Sequence, residues 1–218
     1  MLRVALVLSG CGVQDGAEIH ESVLCLVALQ QRGAEVVYCA PNVEFQSVNH
    51  LTGAAGETRN VLVESARIAR GKIRDIAGLG ASEVDAAVLP GGFGAAKNLC
   101  TFASDGAGCR VNEATATFLR ALHAAGKPIG AACIAPALLA KLFGSELHPE
   151  LTIGSDAGTA AALESMGAKH VTATAGQAVV DRKNLLVTTP AYMCAASAAA
   201  AWPGIDAMVK QTLALVPR

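Results

Sequence analysis

Ile129-Gly130-Ala131-Ala132-Cys133-Ile134-Ala135-Pro136 passes from strand to helix with almost no connecting residue. Ile129–Ala132 is short, apolar and flanked by small side chains, as a buried strand is. Pro136 suits a first helical turn, where an N–H would have no partner in any case. The same succession recurs on both sides. Upstream, Val4–Leu8 reads as a strand running into Gly10-Cys11-Gly12. A helix over Ala17–Gln31 follows, carried by Ile19, Val23, Leu24, Leu26 and Val27 and stopped by Gly33. Val36–Ala40 is a second strand, ended by Pro41-Asn42, and Asn60–Arg70 is an amphipathic helix. Asp85–Leu89 is a third strand, cut off at Pro90-Gly91-Gly92-Phe93-Gly94, and Asn112–Ala125 is a helix with Phe118, Leu119 and Leu122 on one face. Downstream come helices at Pro136–Phe143 and Thr159–Met166 and strands near His170–Thr172, Ala178–Val180 and Leu185–Thr188. A final helix starts at about Met193 and is expected to break near Pro203.

Strands alternating with helices across short Gly- or Pro-marked connections predict an α/β fold with a doubly wound, mostly parallel sheet and helices on both faces, a three-layer sandwich. No shift in composition divides the chain, so residues 1–218 are expected to form one domain. Ligands of such a sheet bind beyond the carboxyl ends of its strands, which directs attention to the turns after the first, third and fourth strands.

Composition narrows the function classes. Hydrophobic residues make up 52% of the chain but aromatics only 4%, so the core is built from small side chains that let elements approach closely. A net charge of -1 leaves no electrostatic footprint for nucleic acid or an anionic membrane, and neither is an expected partner. The seven cysteines lack the C-x-x-C spacing of a zinc or redox site, and most sit in apolar runs as small hydrophobes. Reduced thiols in a reducing compartment are expected, and the location is expected to be cytoplasmic. Leu8-Ser9-Gly10-Cys11 looks like a lipoprotein cleavage site, but Val4–Leu8 is shorter than the roughly 7–15 residues of a signal core. Ala195–Trp202 is too short to span a bilayer.

The fourth strand's turn has the shape of a nucleophile elbow, in which a residue in strained backbone geometry has small neighbours because larger ones would clash. Cys133 then stands just before a helix N-terminus, where free N–H groups and the helix dipole are expected to lower its pKa. The competing reading is a structural Cys on an Ala-rich strand. At the third turn, glycines allow backbone N–H groups to approach a ligand, and the N–H groups of Gly92 and Ile134 form a candidate oxyanion hole, with Gly91 beside them. The first turn fails as a dinucleotide site: the third glycine of G-x-G-x-x-G falls one place late, with Asp15 in its slot, and the second strand ends without an acid for a ribose. No cofactor is expected. Glu18, His20 and Glu21 open the first helix and Cys11 lies in the same turn, so all four are candidate pocket residues. His148-Pro149-Glu150 is read as loop punctuation, and His50, His123 and His170 form no cluster that suggests a metal.

Taken together, these turns make the chain resemble the ThiJ/PfpI superfamily of class I glutamine amidotransferase-like proteins, most closely its ElbB-like branch, described as glyoxalase or as isoprenoid-biosynthesis-associated. The resemblance runs through Leu8–Val13, Glu18–Glu21, Asn49–Gly53, Glu57–Leu62, Pro90–Leu99, Cys133–Pro136 and Thr188–Met193. It implies a flavodoxin-like sandwich, a homodimer, an elbow cysteine at Cys133 and an acid from the first helix. Counted back from Arg32-Gly33 that acid is Glu21, with Glu18 as the alternative. Proteases of the superfamily carry His directly after the Cys, where this chain has Ile134.

The expected activity is a cofactor-independent glyoxalase. The Cys133 thiolate adds to glyoxal or a similar small dicarbonyl, and Glu21, its pKa raised in an apolar pocket, shuttles the protons. A cysteine-based redox or stress sensor or regulatory scaffold, and a deglycase of glycated proteins or nucleotides, are the alternatives. Asn49–Arg59 is expected to be a loop that covers the pocket or builds a dimer face.

Overall fold

In the computed structural model, which describes residues 1–217, the apolar runs become one seven-stranded sheet. The chain runs β1 (Arg3–Val7), α1 (Ile19–Gln31), β2 (Glu35–Ala40), β3 (Glu44–Val48), β4 (Ala55–Asn60), α2 (Val61–Ile68), β5 (Arg74–Asp75) and β6 (Ala86–Leu89). Two short helices follow, α3 (Phe93–Lys97) and α4 (Phe102–Asp105), then α5 (Glu113–Ala124), β7 (Ile129–Ala132) and α6 (Pro136–Leu147). The last part holds β8 (Glu150–Leu151), α7 (Ala157–Ser165), β9 (Lys169–His170), β10 (Val179–Asp181), β11 (Leu186–Thr189) and α8 (Ala198–Ala214). The sheet order is β10-β11-β7-β6-β1-β2-β5, and every pairing is parallel except that of the edge strand β10. The expected doubly wound α/β architecture is therefore the observed one.

Strand alternation builds two cores. Ala5 and Val7 of β1 face one side, with Phe118, Leu119 and Leu122 of α5 and Leu138, Leu139 and Leu142 of α6. Val4 and Leu6 face the other, with Cys25, Ala28 and Leu29 of α1 and Ile205, Met208 and Val209 of α8. Both faces are covered, which is why these strands are continuous apolar runs rather than alternating ones.

The structure departs from the sequence expectations in three places. The segment expected to be a loop at Asn49–Arg59 belongs to a β3–β4 hairpin with its own antiparallel ladder and a register shift between Gln46 and Val48. The strand expected near His170–Thr172 pairs only with β8, in a separate two-stranded sheet. The last helix begins at Ala198 rather than Met193, capped by the Ser197 hydroxyl, and continues through Pro203 without breaking. Pro203 lies in its second turn and removes one backbone bond. The buried face of Ala201, Gly204, Ile205, Met208 and Val209 holds the helix against the sheet and outweighs that loss.

Candidate active site

At the carboxyl end of β7 the backbone of Cys133 takes φ 60°, the left-handed region that L-residues avoid. The chain holds it there from both sides: the Cys133 N–H donates to Thr189 O at 2.9 Å, and Ala135 N–H closes a tight turn onto Ala132 O at 3.0 Å. Strand and helix thus meet at one residue, which is 8% exposed. The elbow read from the sequence is present, with Cys133 at its apex.

The turns after β1 and β6 are laced together above it. Glu18 N–H donates to Gly91 O at 2.9 Å, Phe93 N–H to Val13 O at 2.8 Å and Gly94 N–H to Gly16 O at 2.8 Å. Gly92 takes φ 89°, which frees its N–H to point at the Cys133 sulfur. Gly91 has no room for a side chain: an added Cβ would overlap Cys133 Cβ and lie 2.9 Å from Glu21 Oε2. The lacing fixes the start of α1. Glu18 is its N-cap, and its carboxylate accepts the Glu21 N–H at 2.6 Å, so Glu21 lies in the first turn and points inward.

Glu21 is fully buried beneath the turn. Gly91 N–H donates to its Oε2 at 2.8 Å and Tyr192 N–H to its Oε1 at 3.1 Å. Its carboxyl also bonds the Cys133 thiol. Burial raises its pKa to about 7, against the two backbone donors, which favour the anion. Of the two acids left open in the sequence, Glu21 meets the thiol, and Glu18 caps the helix at the cavity wall.

The thiol behaves otherwise than its position before a helix suggested. Burial and the charge of Glu21 push Cys133 well above the ordinary thiol range, while the N–H groups of Gly92 and Ile134 pull it down. Desolvation wins because the sulfur is enclosed on nearly every side. The two acids are therefore coupled and titrate as a pair, with Glu21 giving up its proton before the thiol does.

Above the pair is a cavity of about 600 Å3 bordered by Glu18, His20, Gly92, Cys133 and Ile134, together with Val13, Phe93, Thr159, Tyr192 and Met193. His20 Nδ1 lies 2.8 Å from the Tyr192 hydroxyl and 3.8 Å from Glu18 Oε1. One short turn, Ala191–Met193, thereby contacts the buried acid through its backbone and the surface histidine through its phenol. Val13, Phe93, Tyr192, Met193 and Thr159 were missed as site residues by sequence reasoning. The first four lie within the motifs Leu8–Val13, Pro90–Leu99 and Thr188–Met193, whereas nothing in the sequence marks Thr159.

Other candidates fall elsewhere. Cys11 does not border this cavity; burial and the charge of Glu64 raise its pKa within the first turn. His148 takes φ 47° at the end of α6, with its ring on Gly167 O, and Glu150 pairs with Lys169, so neither serves the thiol. Among the described residues no group of three or more His, Cys, Asp or Glu side chains is arranged to hold a metal ion. Nor is any helix among them long and apolar enough to cross a membrane.

No family model matches the chain. Human glutamine amidotransferase-like class 1 domain-containing protein 3, mitochondrial, is 52% identical over 225 residues, which span 98% of this chain and 83% of that protein. The chain belongs to this glutamine amidotransferase-like class 1 (ES1) family. A crystal structure from Ehrlichia chaffeensis, of an isoprenoid biosynthesis protein with an amidotransferase-like domain, shares the fold over 100% of both chains with a TM-score of 0.93 and 35% identity. Drosophila melanogaster DJ-1beta has the same fold at 22% identity, with a TM-score of 0.57 over 100% of this chain and 92% of that one. The expected cytoplasmic location is corrected by these relatives: the human, rat and zebrafish members are all named mitochondrial proteins. Reduced thiols and a near-neutral charge are compatible with any reducing compartment and do not select one.

Proposed function

We propose that the protein is a cofactor-independent glyoxalase, a lyase that converts glyoxal or a similar small 2-oxoaldehyde into the hydroxy acid. One observation carries the reading: the Cys133 sulfur is held between the N–H groups of Gly92 and Ile134 and the carboxyl of Glu21, facing a cavity. That arrangement supplies a nucleophile, a proton carrier and oxyanion donors without any further group.

The sulfur attacks one aldehyde carbon, and the thiol proton passes through Glu21 to the new alkoxide, giving a neutral hemithioacetal. As negative charge moves from sulfur to oxygen, the N–H groups of Gly92 and Ile134 are the donors assigned to follow it. The Glu21 carboxylate then takes the hydrogen of the sulfur-bearing carbon as a proton and returns it to the neighbouring carbon by way of an enediolate, while the hydroxyl proton of the first carbon passes to the oxygen of the second. The first carbon is oxidised by two electrons and the second reduced by two, so no external oxidant enters. The product is a thioester of the hydroxy acid. Water cleaves it, with release of the acid and return of the thiol. We assign the deprotonation of that water to His20, which the Tyr192 hydroxyl and Glu18 hold at the solvent side.

A redox-sensor role is less well supported, because a buried thiol pushed up in pKa is a poor target for peroxide. Deglycation would use the same site on a larger substrate. A homodimer belongs to the same proposal, with the exposed Ile19 and Val23 one turn apart on α1 as a surface to be covered; sedimentation velocity tests it. The activity is tested by glycolate formation from glyoxal on wild type, Cys133→Ala, Glu21→Gln and Glu18→Gln. Loss in the first two variants with substantial retention in Glu18→Gln is expected. Wild-type consumption by Cys133→Ala overturns the proposal.

A further inference from the structure

We infer that the substrate of this site is a 2-oxoaldehyde carrying an uncharged apolar arm, aromatic or branched aliphatic, rather than glyoxal itself or an anionic dicarbonyl. The inference rests on the glyoxalase reading above and adds the substrate class to it.

Size is the first argument. Glyoxal, two carbons and two oxygens, needs only the floor of the site, where Cys133, Glu21, Gly92 and Ile134 converge. The cavity of about 600 Å3 above that floor lies in the range of sites that enclose far larger molecules. Chemistry is the second. Val13, Phe93, Ile134, Tyr192 and Met193 give the cavity apolar walls, and among the described residues no Lys or Arg borders it. A phosphate or carboxylate on the substrate would meet the Glu18 carboxylate at the wall and no permanent cation. Lys97 Nζ, beside the rim, donates to Gln14 O at 3.1 Å and lies over the Phe93 ring, 5.0 Å from its centroid.

Exposure is the third. Phe93 is 51% and Val13 42% exposed, although the short chain segments that carry them are bonded to each other by Phe93 N–H to Val13 O at 2.8 Å. Two large apolar side chains held rigidly at the mouth of a catalytic cavity lose water only when something apolar lies against them. A substrate arm that reaches from the thiol to the rim does so. Aldehyde carbon and arm are then bound by separate parts of the site, and the arm's binding energy helps to orient the reacting carbon.

The test compares kcat/KM for glyoxal and phenylglyoxal in wild type, Phe93→Ala, Val13→Ser and Cys133→Ala, with circular dichroism and sedimentation on each variant. The readout is the ratio of the two kcat/KM values, each corrected for its aldehyde's hydration in water, and the change of that ratio between variants, in which hydration cancels. Wild type is expected to favour phenylglyoxal by about tenfold or more. Phe93→Ala is expected to lose most of that preference, through a fall in kcat/KM for phenylglyoxal, and Val13→Ser, on the adjoining segment, to lose part of it. A wild-type preference for glyoxal, or a ratio that neither variant changes, overturns the inference. A variant that keeps its circular dichroism but changes oligomeric state also overturns it, by assigning the rim to a contact between copies. Consumption of both aldehydes by Cys133→Ala at wild-type rates would instead remove the glyoxalase reading beneath it, a distinct result.

Discussion

The elbow at Ala132–Pro136 and the β3–β4 hairpin are opposite ways of holding a turn. At the elbow the backbone is strained, the side chains are buried and partners come from distant parts of the chain: Thr189, Gly92 and Glu21 all meet Cys133. In the hairpin, β4 is exposed along nearly its whole length and its charges, Glu57 and Arg59, pair with each other in solvent. Burial raises the Glu21 carboxyl by desolvation; in the exposed hairpin Arg59 is raised instead by its pairing with Glu57. The contrast explains why the only acid raised to about 7 in the candidate site is Glu21, beneath the elbow.

The largest effect should come from the elbow's apex. Cys133→Ala is expected to lower turnover at least about a thousandfold, and a stopped assay for the hydroxy acid measures it. The strain makes a second demand. Cys133→Gly should be equally inactive yet more stable than Cys133→Ala by about 1 kcal/mol, because glycine adopts φ 60° freely. Equal urea midpoints for the two variants would mean that no strain is stored there.

Next comes Gly91→Ala, which places a methyl group against Cys133 and Glu21 at once. Loss of activity is expected together with a stability cost of about 1–3 kcal/mol. A stable, active Gly91→Ala would show that the site yields more readily than its packing implies.

Glu21→Gln should lower kcat by about 10²–10⁴-fold while raising stability at neutral pH. The sign follows from linkage. Glu21 ionises at about 7 in the folded chain, against 4.5 for an ordinary carboxyl. Between those values the folded state keeps a proton that the unfolded state has lost, so stability falls as pH rises from about 4.5 to about 7. The loss amounts to roughly 3 kcal/mol at most. Urea midpoints measured across that window should fall for wild type and flatten in Glu21→Gln. The wild-type kcat/KM should rise through the same window as the Cys133–Glu21 pair gives up its first proton.

The same contrast decides what could be read in the sequence. The sheet was legible because apolar strands ending at Pro90-Gly91 and at Cys133 have few other interpretations, and Pro136 fixed where the helix after the elbow begins. Cys133 followed from the shape of its own turn. Glu21 was separable from Glu18 only through resemblance, since the deciding fact, that Glu18 is extended and caps the helix, depends on the Gly91 carbonyl 73 residues later in the chain. The direction of the thiol's pKa was misread for a related reason: the helix N-terminus is local and visible, whereas the desolvation that outweighs it comes from α1 and the turns after β1 and β6. The hairpin was missed because Ala55-Gly56-Glu57-Thr58-Arg59-Asn60 has no apolar alternation to mark a strand.

The smallest expected effect tests whether the two regions are independent. The hairpin is tied to the first turn by Val48 N–H, which donates to Asp15 Oδ2 at 2.7 Å, and by Gln14 N–H, which meets His50 Nε2 at 3.2 Å. Asp15→Ala leaves the Val48 N–H without its acceptor and should cost about 1 kcal/mol. Because Val48 lies at the end of β3, the loss is expected to appear first as faster hydrogen exchange at the hairpin amides. The amides of Cys133 and Ile134, held through Thr189 and the cavity floor, should keep wild-type exchange, and kcat/KM should stay within about twofold. If instead the elbow amides loosen together with the hairpin, then Asp15 transmits order from the exposed turn to the buried one. The strained cysteine would then owe part of its geometry to a ladder that stands almost entirely in water.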